Sequence, residues 1–181
     1  MRSVLYILGE LQDGDAEWMA AVGDRLRTPS GTTIIEEGRP NDALYIVLDG
    51  TLTATVTAQR DQEVGVMTRG TIAGEMSFVD GLPPSATVRA REDAVVLAIP
   101  RGALETRLRE DTGFAARFYK ALAMLLAERL RAGNRLLVGD AGPVLDEDVI
   151  DVDEMDPDSL DSLYLAGQRF DRILRRLDGI P

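Results

Sequence analysis

Residues 74–90 read GEMSFVDGLPPSATVRA, and this stretch decides both the fold and the candidate site. Gly74 and Gly81 bracket a short apolar run, which indicates a tight turn at each end of that run. Two consecutive prolines then hold the chain in an extended conformation. Ser85 and Thr87 follow, and their hydroxyl groups are donors of the kind that bind an anion. The stretch therefore predicts two turns, with an extended segment after the second.

The stretch resembles the phosphate-binding cassette of the cyclic nucleotide-binding domain family, in its catabolite activator protein-like (Crp-Fnr-like) branch. That cassette reads Gly-Glu, an apolar run, Arg, then Ser/Thr/Ala-Ala-Ser/Thr-Val. In the family the glutamate binds the ribose hydroxyl and the arginine binds the cyclic phosphate. The resemblance therefore implies that Glu75 is a ribose ligand and that position 84 is the phosphate position. The candidate ligand-binding residues are Gly74, Glu75, Met76, Ser77, Pro84, Ser85, Ala86 and Thr87.

Pro84 stands where the resembled cassette has its arginine. A guanidinium offers a planar fork of donors that fits two phosphate oxygens, whereas proline has neither that charge nor a backbone N–H. A hydrogen bond to a charged group contributes roughly 1.5–3 kcal/mol, so its loss weakens binding on the order of ten- to a hundred-fold. Arg89 and Arg91 are the nearest cations that can replace it. Three interpretations stay open: weak nucleotide binding, a different anionic ligand, and a cassette that keeps only its turns.

Further motifs extend the resemblance to roughly residues 5–137. Residues 29–38 (PSGTTIIEEG) match a strand-turn-strand pattern of the family, and residues 42–52 (DALYIVLDGTL) match the next strand pair. Each glycine motif alone is weak, but their order and spacing together identify the chain as a member of this family. In the bacterial transcription factors of this family a helix-turn-helix domain follows the long helix, and we expect no counterpart of it in these 181 residues.

Independent patterns in residues 25–100 predict the same architecture. Short runs rich in Val, Ile, Thr and Tyr are interrupted by Gly, Pro, Asn and Asp, which is typical of an antiparallel sandwich or small barrel. Residues 51–57 alternate polar and apolar side chains, whereas residues 44–48 are continuously apolar. We therefore predict a mainly β fold with flanking helices. It is a jelly roll of eight strands (a double-stranded β-helix), with a long C-terminal helix and an acidic tail.

The helices are predicted from caps and apolar spacing. Asp13 or Asp15 caps a short helix that ends at Gly23, and Asp111 or Thr112 caps a long helix from about residue 113 to residue 137. The resemblance implies that the long helix covers the nucleotide and pairs with its twin in a homodimer. The alternative is that its apolar stripe packs on its own barrel. The candidate dimer residues on this helix are Phe118, Leu122, Leu125 and Leu126.

The tail divides the chain into residues 1–138, an acidic linker at 139–158 and an amphipathic helix at 159–178. The linker has nine acidic side chains and no basic one, which is typical of an extended segment. Heptad spacing in the last segment predicts a helix too short to stand alone, so it must dock. Docking on its own chain or twin and docking on a protein partner stay open. The candidate contact residues are Leu160, Leu163, Phe170, Leu174 and Leu177.

Composition excludes several functions. The 181 residues include no cysteine and no histidine, so zinc, iron–sulfur and histidine-held haem sites are very unfavourable. The common nucleophile–base pairs of hydrolases are missing as well, and no carboxylate pair is placed for acid–base work. We therefore predict no catalytic residues, no metal site and no enzymatic activity.

The net charge of −11 is concentrated near the C-terminus, where residues 139–181 carry 12 acidic and 4 basic side chains. Such a tail repels DNA, and it is too short for a winged-helix domain. No apolar run is long enough to span a bilayer, and the run at residues 4–8 lacks the features of a signal peptide. We expect a cytoplasmic protein with neither DNA nor membrane as a partner.

The sequence as a whole predicts a stand-alone, non-enzymatic regulatory or adaptor module that acts through dimerisation and protein contacts. Its cyclic nucleotide binding is expected to be lost or altered because of Pro84, and no cofactor is expected. The alternative function is a small-ligand sensor that binds cAMP, cGMP or a related anion in the cassette at residues 74–87.

Overall fold

The structure, a computed structural model, describes residues 2–57, 62–137 and 157–177. The predicted acidic linker lies outside these residues, except for its last two positions. The helices are α1 (Arg2–Glu10), α2 (Asp13–Val22), α3 (Glu75–Asp80), α4 (Arg101–Glu110), α5 (Thr112–Leu137) and α6 (Pro157–Leu177). The strands are β1 (Asp24–Thr28), β2 (Thr33–Ile35), β3 (Ala43–Asp49), β4 (Leu52–Val56), β5 (Gln62–Met67), β6 (Ile72–Ala73), β7 (Thr87–Ala90) and β8 (Ala94–Pro100).

The eight described strands form two antiparallel four-stranded sheets. Their orders are β1-β8-β3-β6 and β2-β7-β4-β5, so strands distant in sequence are neighbours in each sheet. A small apolar core, which includes Val47, Leu52, Val88 and Val96, fills the space between the sheets. The continuously apolar strand β3 lies in the interior of its sheet, paired with β8 and β6. The predicted jelly roll is confirmed.

A layer of helices covers the first sheet and creates a second, larger core. α1, α4 and α5 contribute its most deeply buried side chains, among them Leu8, Leu104, Phe114 and Phe118. Phe118 stacks on Phe114 with ring centroids 5.5 Å apart and meets Phe78 of α3 edge-to-face at 5.8 Å. The sequence patterns did not predict α1. This second core places α5 against α3, the helix of the cassette.

The caps of α2 and α5 can be compared with their predictions. The N-cap of α2 is Gln12, so the prediction of Asp13 or Asp15 was wrong. Asp15 instead occupies the third helical position, where its carboxylate accepts the Gln12 N–H at 2.9 Å as half of a capping box. Asp111 precedes α5 and its carboxylate accepts the Phe114 N–H at 2.8 Å, as predicted.

One buried carboxylate joins three helices. Asp15 is 2% exposed, and its two oxygens accept hydrogen bonds from Arg107 of α4 at 2.8 Å and Arg117 of α5 at 2.9 Å. The Arg107 guanidinium also lies over the rings of Trp18 and Phe114, 4.7 and 4.6 Å from their centroids. These contacts fix the angle between α4 and α5 relative to α2.

Helix α5 carries two apolar faces. Its inner face lies wholly in the protein's own core and consists of Phe114, Phe118, Ala121, Leu122 and Leu125. Its outer face is rotated by about a quarter turn, since Tyr119, Ala123 and Leu126 each follow an inner-face residue by one position. The outer face of α5 consists of Tyr119, Ala123, Leu126 and Leu130, which are exposed or half-buried. Leu130 is 66% exposed.

Helix α6 docks within its own chain, in the groove between α1 and α2. Its buried side chains are Ala166, Phe170 and Ile173, which follow the spacing of a broad helical stripe. Arg169 lies beside this stripe and is half-buried. Its guanidinium donates to the carbonyl oxygens of Leu8 at 2.7 Å and Gly9 at 3.4 Å, which satisfies the C-terminal end of α1.

Asp13, at the start of α2, binds two arginines of α6. Asp13 accepts hydrogen bonds from Arg169 at 2.7 Å and from Arg172 at 3.0 Å. These hydrogen bonds, that of Arg169 foremost, lower the pKa of the Asp13 carboxyl below its ordinary value of 3.8. A lowered pKa means that the pairing stabilises the docked helix above about pH 3.8 and is lost as the pH falls through the folded-state pKa.

Candidate functional site

The cassette is built on a short helix between two glycines. Gly74 is the N-cap of α3 and Gly81 its C-cap, and both adopt the left-handed conformation, with φ of 90° and 70°. A Cβ atom at Gly74 would lie 2.5 Å from the Asn41 amide nitrogen and 2.9 Å from the Ala43 carbonyl oxygen. Both the backbone conformation and the close approach therefore require glycine at the start of the cassette.

Glu75 lies at the first position of α3 and is only 2% exposed. Its carboxylate pairs with the Arg129 guanidinium of α5. The same guanidinium donates to the Ile72 carbonyl oxygen at 2.7 Å. Arg129 therefore joins α5 both to the cassette helix and to the strand that leads into it. We call these two contacts the Arg129 latch.

Pro84 is buried, and its main chain forms a hydrogen bond with another part of the chain. Its carbonyl oxygen accepts the Gly38 N–H at 2.9 Å, which ties the cassette to the turn after β2. The neighbouring hydroxyls differ in their surroundings. Ser85 is exposed, whereas the Thr87 hydroxyl already accepts the Glu37 N–H at 3.1 Å. Residue 84 thus holds the cassette in place without supplying any charge for an anion.

The remaining predicted cassette residues lie on different sides of α3 and the strand that follows it. Met76 is 51% exposed, and Ser77 is buried, with its carbonyl oxygen accepting a hydrogen bond from Arg101 at 2.9 Å. Ala86 is half-buried at the edge of the inter-sheet core. Two of the predicted residues therefore meet a cation from another element: Glu75 pairs with Arg129 through its carboxylate, and Ser77 binds Arg101 through its carbonyl oxygen.

The two cations nearest to the cassette in the sequence contact other groups. Arg89 donates to the Thr33 hydroxyl at 3.3 Å, on the outer side of β7. Arg91 is exposed and lies 3.9 Å from Glu63. Sequence reasoning missed Arg129, because a single arginine among the charged residues of a helix is usually solvated, and its partner lies 54 positions away.

The predicted dimer and partner residues have mixed positions. Phe118, Leu122 and Leu125 are buried in the inner face of α5, whereas Leu126 is half-buried on its outer face. Phe170 is buried against α1 and α2, and Leu174 and Leu177 are partly buried beside it. Leu160 and Leu163 belong to α6, but their side chains lie outside the described part of the chain.

The described residues contain neither a metal-binding cluster of side chains nor a membrane-spanning helix. Residues 2–57, 62–137 and 157–177 hold no group of three or more Asp and Glu side chains placed to bind a metal ion. Within the same ranges, no helix is both long and apolar enough to cross a membrane.

Comparison with known proteins assigns the family. The family model of the cyclic nucleotide-binding domain matches residues 25–111. This range includes the cassette and strands β2 to β8. Residues 25–111 are therefore a domain of the cyclic nucleotide-binding family.

Individual relatives agree with this assignment. The cAMP-dependent protein kinase regulatory subunit of Aspergillus fumigatus is 34% identical over 97 residues, which are 52% of this chain and 23% of that protein. The matched region thus spans about a quarter of the length of such curated relatives.

Among solved structures, Thermus thermophilus catabolite activator protein is 25% identical with a TM-score of 0.57, covering 93% of this chain and 84% of its own. A cyclic nucleotide-binding domain from Methylobacillus flagellatus has a TM-score of 0.68 at 22% identity, covering 79% of this chain and 85% of its own. The second likeness concerns the fold alone.

Proposed function

We propose that this chain is a non-enzymatic regulatory module in which cyclic nucleotide binding is lost or weakened and which acts through protein contacts. The observation that carries the proposal is Pro84, buried at the phosphate position of the cassette. A cyclic phosphate is an anion, and its transfer from water into a cassette without a cation is unfavourable. The relatives that regulate a kinase or transcription support a regulatory role for the same domain.

The Arg129 latch supports the same proposal. In the family the cassette glutamate binds the ribose hydroxyl, and here the Glu75 carboxylate already pairs with a guanidinium. A nucleotide must therefore share or displace that ion pair in addition to lacking its phosphate ligand. Because the carboxylate is almost fully buried, separating it from Arg129 exposes a buried charge without its partner, which is costly.

A specific observation favours the alternative of a ligand sensor. The Arg129 side chain is 34% exposed, so a cation is present at the edge of the cassette. If the guanidinium turns from Glu75 towards a bound phosphate, it replaces the arginine that is missing at position 84. Titration distinguishes this alternative from the proposed function.

The proposed function predicts no heat of binding when cAMP or cGMP is titrated calorimetrically into the full chain at micromolar concentration. Pro84→Arg is expected to restore binding, since a guanidinium supplies roughly 1.5–3 kcal/mol to a charged hydrogen bond. The Gly38–Pro84 bond is retained in this variant, because it uses a carbonyl oxygen that every residue has. Pro83→Arg, which adds the same charge at an exposed neighbouring residue, is the matched control and is expected not to bind.

Micromolar binding by the unaltered chain would contradict the proposed function and establish the sensor. In that case Arg129→Ala identifies the replacement cation, because it abolishes binding only if Arg129 contacts the phosphate. Absence of binding in Pro84→Arg as well would mean that the latch, and not residue 84 alone, closes the cassette.

We further propose that the outer face of α5 pairs with that of a second copy. Tyr119, Ala123, Leu126 and Leu130 are separated by steps of four, three and four residues, the heptad spacing of paired helices. Gly133 and Leu137 continue this spacing in the sequence. The inner face cannot serve, since its side chains are already covered by the protein's own core.

The dimer is tested by sedimentation or light scattering, in which the unaltered chain is expected to have twice the 19.7 kDa mass of one copy. Leu130→Asp places a charge in the paired seam and is expected to give monomers without loss of fold. Met124→Asp is the control, because Met124 is also exposed but lies off the outer face. A monomeric unaltered chain, or equal dissociation by both variants, would refute pairing through this face.

A further inference from the structure

Helix α1 holds both sides of the Arg129 latch. Near its start, the Val4 N–H donates to the Gly70 carbonyl oxygen at 2.8 Å. Gly70 lies two residues before Ile72, the residue whose carbonyl oxygen receives Arg129. At its end, Glu10 pairs with Lys120 of α5 at 2.7 Å. α1 therefore positions both β6, which contains Ile72, and α5, which carries Arg129.

Helix α6 in turn holds α1 and the same turn. Arg169 binds the last carbonyl oxygens of α1, as described above, and Phe170 is buried in the adjacent core. The Arg69 guanidinium lies over the Phe170 ring, 5.6 Å from its centroid, so α6 also touches the residue next to Gly70. Loss of α6 removes three supports at once from the elements that position the latch.

The groove filled by α6 has a definite chemistry. Its floor is apolar, and its rim carries Asp13 and Glu17, with Arg172 lying 3.0 Å from the first and 3.5 Å from the second. The carbonyl ends of α1 add further acceptors. The groove therefore selects an amphipathic helix with an arginine, a bulky apolar residue directly after it, and an aliphatic residue four positions after the arginine, as in Arg169, Phe170 and Ile173.

We propose that this groove is an exchangeable helix-binding site. It is occupied by α6 in this structure, and a basic amphipathic helix of a partner protein competes with α6 for it. Occupancy of the groove sets the strength of the Arg129 latch. Among the side chains of α6 that the structure describes, three are fully buried, and the covalent connection of α6 to the domain favours its occupancy of the groove. A partner helix with the same pattern displaces it by mass action. This inference rests on the proposed function only in treating the cassette as the regulated site.

The test uses the full chain with Phe170→Asp, which places a charge in the apolar floor and is expected to release α6. Hydrogen exchange is then expected to rise about tenfold or more at the amides of α1, of α3 and of α5 around Arg129. A synthetic peptide with the unaltered sequence of residues 157–177, added in excess, is expected to bind the variant and restore the slow exchange. The same peptide with Arg169→Glu is expected not to restore it.

Two controls make the result decisive. Tyr164→Asp changes the same helix at a side chain that is 68% exposed, and is expected to leave the exchange unchanged. Because the chain has no cysteine, a spin label on Tyr164→Cys reports separately whether α6 is docked. Ile173→Asp serves as a second releasing variant.

Release of α6 without faster exchange in α3 would refute the coupling to the latch. Failure of the peptide to bind either releasing variant would refute the exchangeable site, and so would a helix that stays docked in both. No nucleotide is present in these experiments, so they remain valid whether or not the calorimetric titration supports the proposed function.

Discussion

Replacement of Asp15 with alanine is expected to lower the free energy of unfolding by about 3 kcal/mol, because it removes one partner from a buried ion network. Arg107 and Arg117 would both lose the carboxylate that neutralises them. Their side chains are 22% and 26% exposed, so solvent reduces the penalty to the lower end of the range for buried pairs. The Nε atom of Arg107 is buried without a hydrogen-bond partner already, which leaves this arginine little means of compensation.

Chemical denaturation monitored by Trp18 fluorescence measures this loss, since the indole ring contacts the Arg107 guanidinium. Asp13→Ala is the matched control, two residues earlier, and its exposed pairs with α6 are expected to contribute no more than about 1 kcal/mol. Equal effects of the two variants would show that the buried network adds nothing beyond a surface ion pair. The α4–α5 angle would then have to be fixed by apolar packing alone.

Replacement of Phe118 with alanine is expected to cost about 3–5 kcal/mol, the range for a fully buried phenyl ring. On a chain of this size that loss lowers the Tm by roughly 6–20 °C. The ring contributes more than its buried area, because it stacks on Phe114 and meets Phe78 of the cassette helix edge-to-face. The variant is therefore also expected to speed hydrogen exchange in α3.

Calorimetric melting and hydrogen exchange test the two parts of this prediction. Met124→Ala is the control, because Met124 lies on the same helix, is 38% exposed and belongs to neither apolar face. Its cost is expected to stay below about 1 kcal/mol. A loss of stability in Phe118→Ala without any change in α3 would mean that the Phe78–Phe118 contact does not transmit packing to the cassette.

The eight strands could be predicted because turns in this fold depend on local chemistry. Six glycines of the described chain adopt positive φ, among them Gly50, where an added Cβ would lie 2.6 Å from the Asp93 carbonyl oxygen. Such positions can be recognised in the sequence as glycines at fixed spacing. The cassette was located for the same reason, since the turns at Gly74 and Gly81 frame it.

Contacts between elements that are distant in the sequence have no comparable local sequence signal. The sequence of α5 shows which residues are apolar but does not separate them into two faces. The packing of α1, α3 and α4 divides them into an inner and an outer face. On α6 the predicted contact residue Phe170 is buried, but Ala166 and Ile173, which the heptad spacing did not select, are buried as well. Arg129 and Arg169 find their partners only after the chain has folded.

The main-chain hydrogen bond at residue 84 has an evolutionary consequence. Its acceptor is a carbonyl oxygen, so this hydrogen bond can form with any residue at position 84. Proline and arginine codons of the CCN and CGN series differ in one base. A single nucleotide change can therefore exchange a cassette with a phosphate cation for one without it, while the turns at residues 74 and 81 and the barrel persist. Ligand and fold can be inherited separately in this domain.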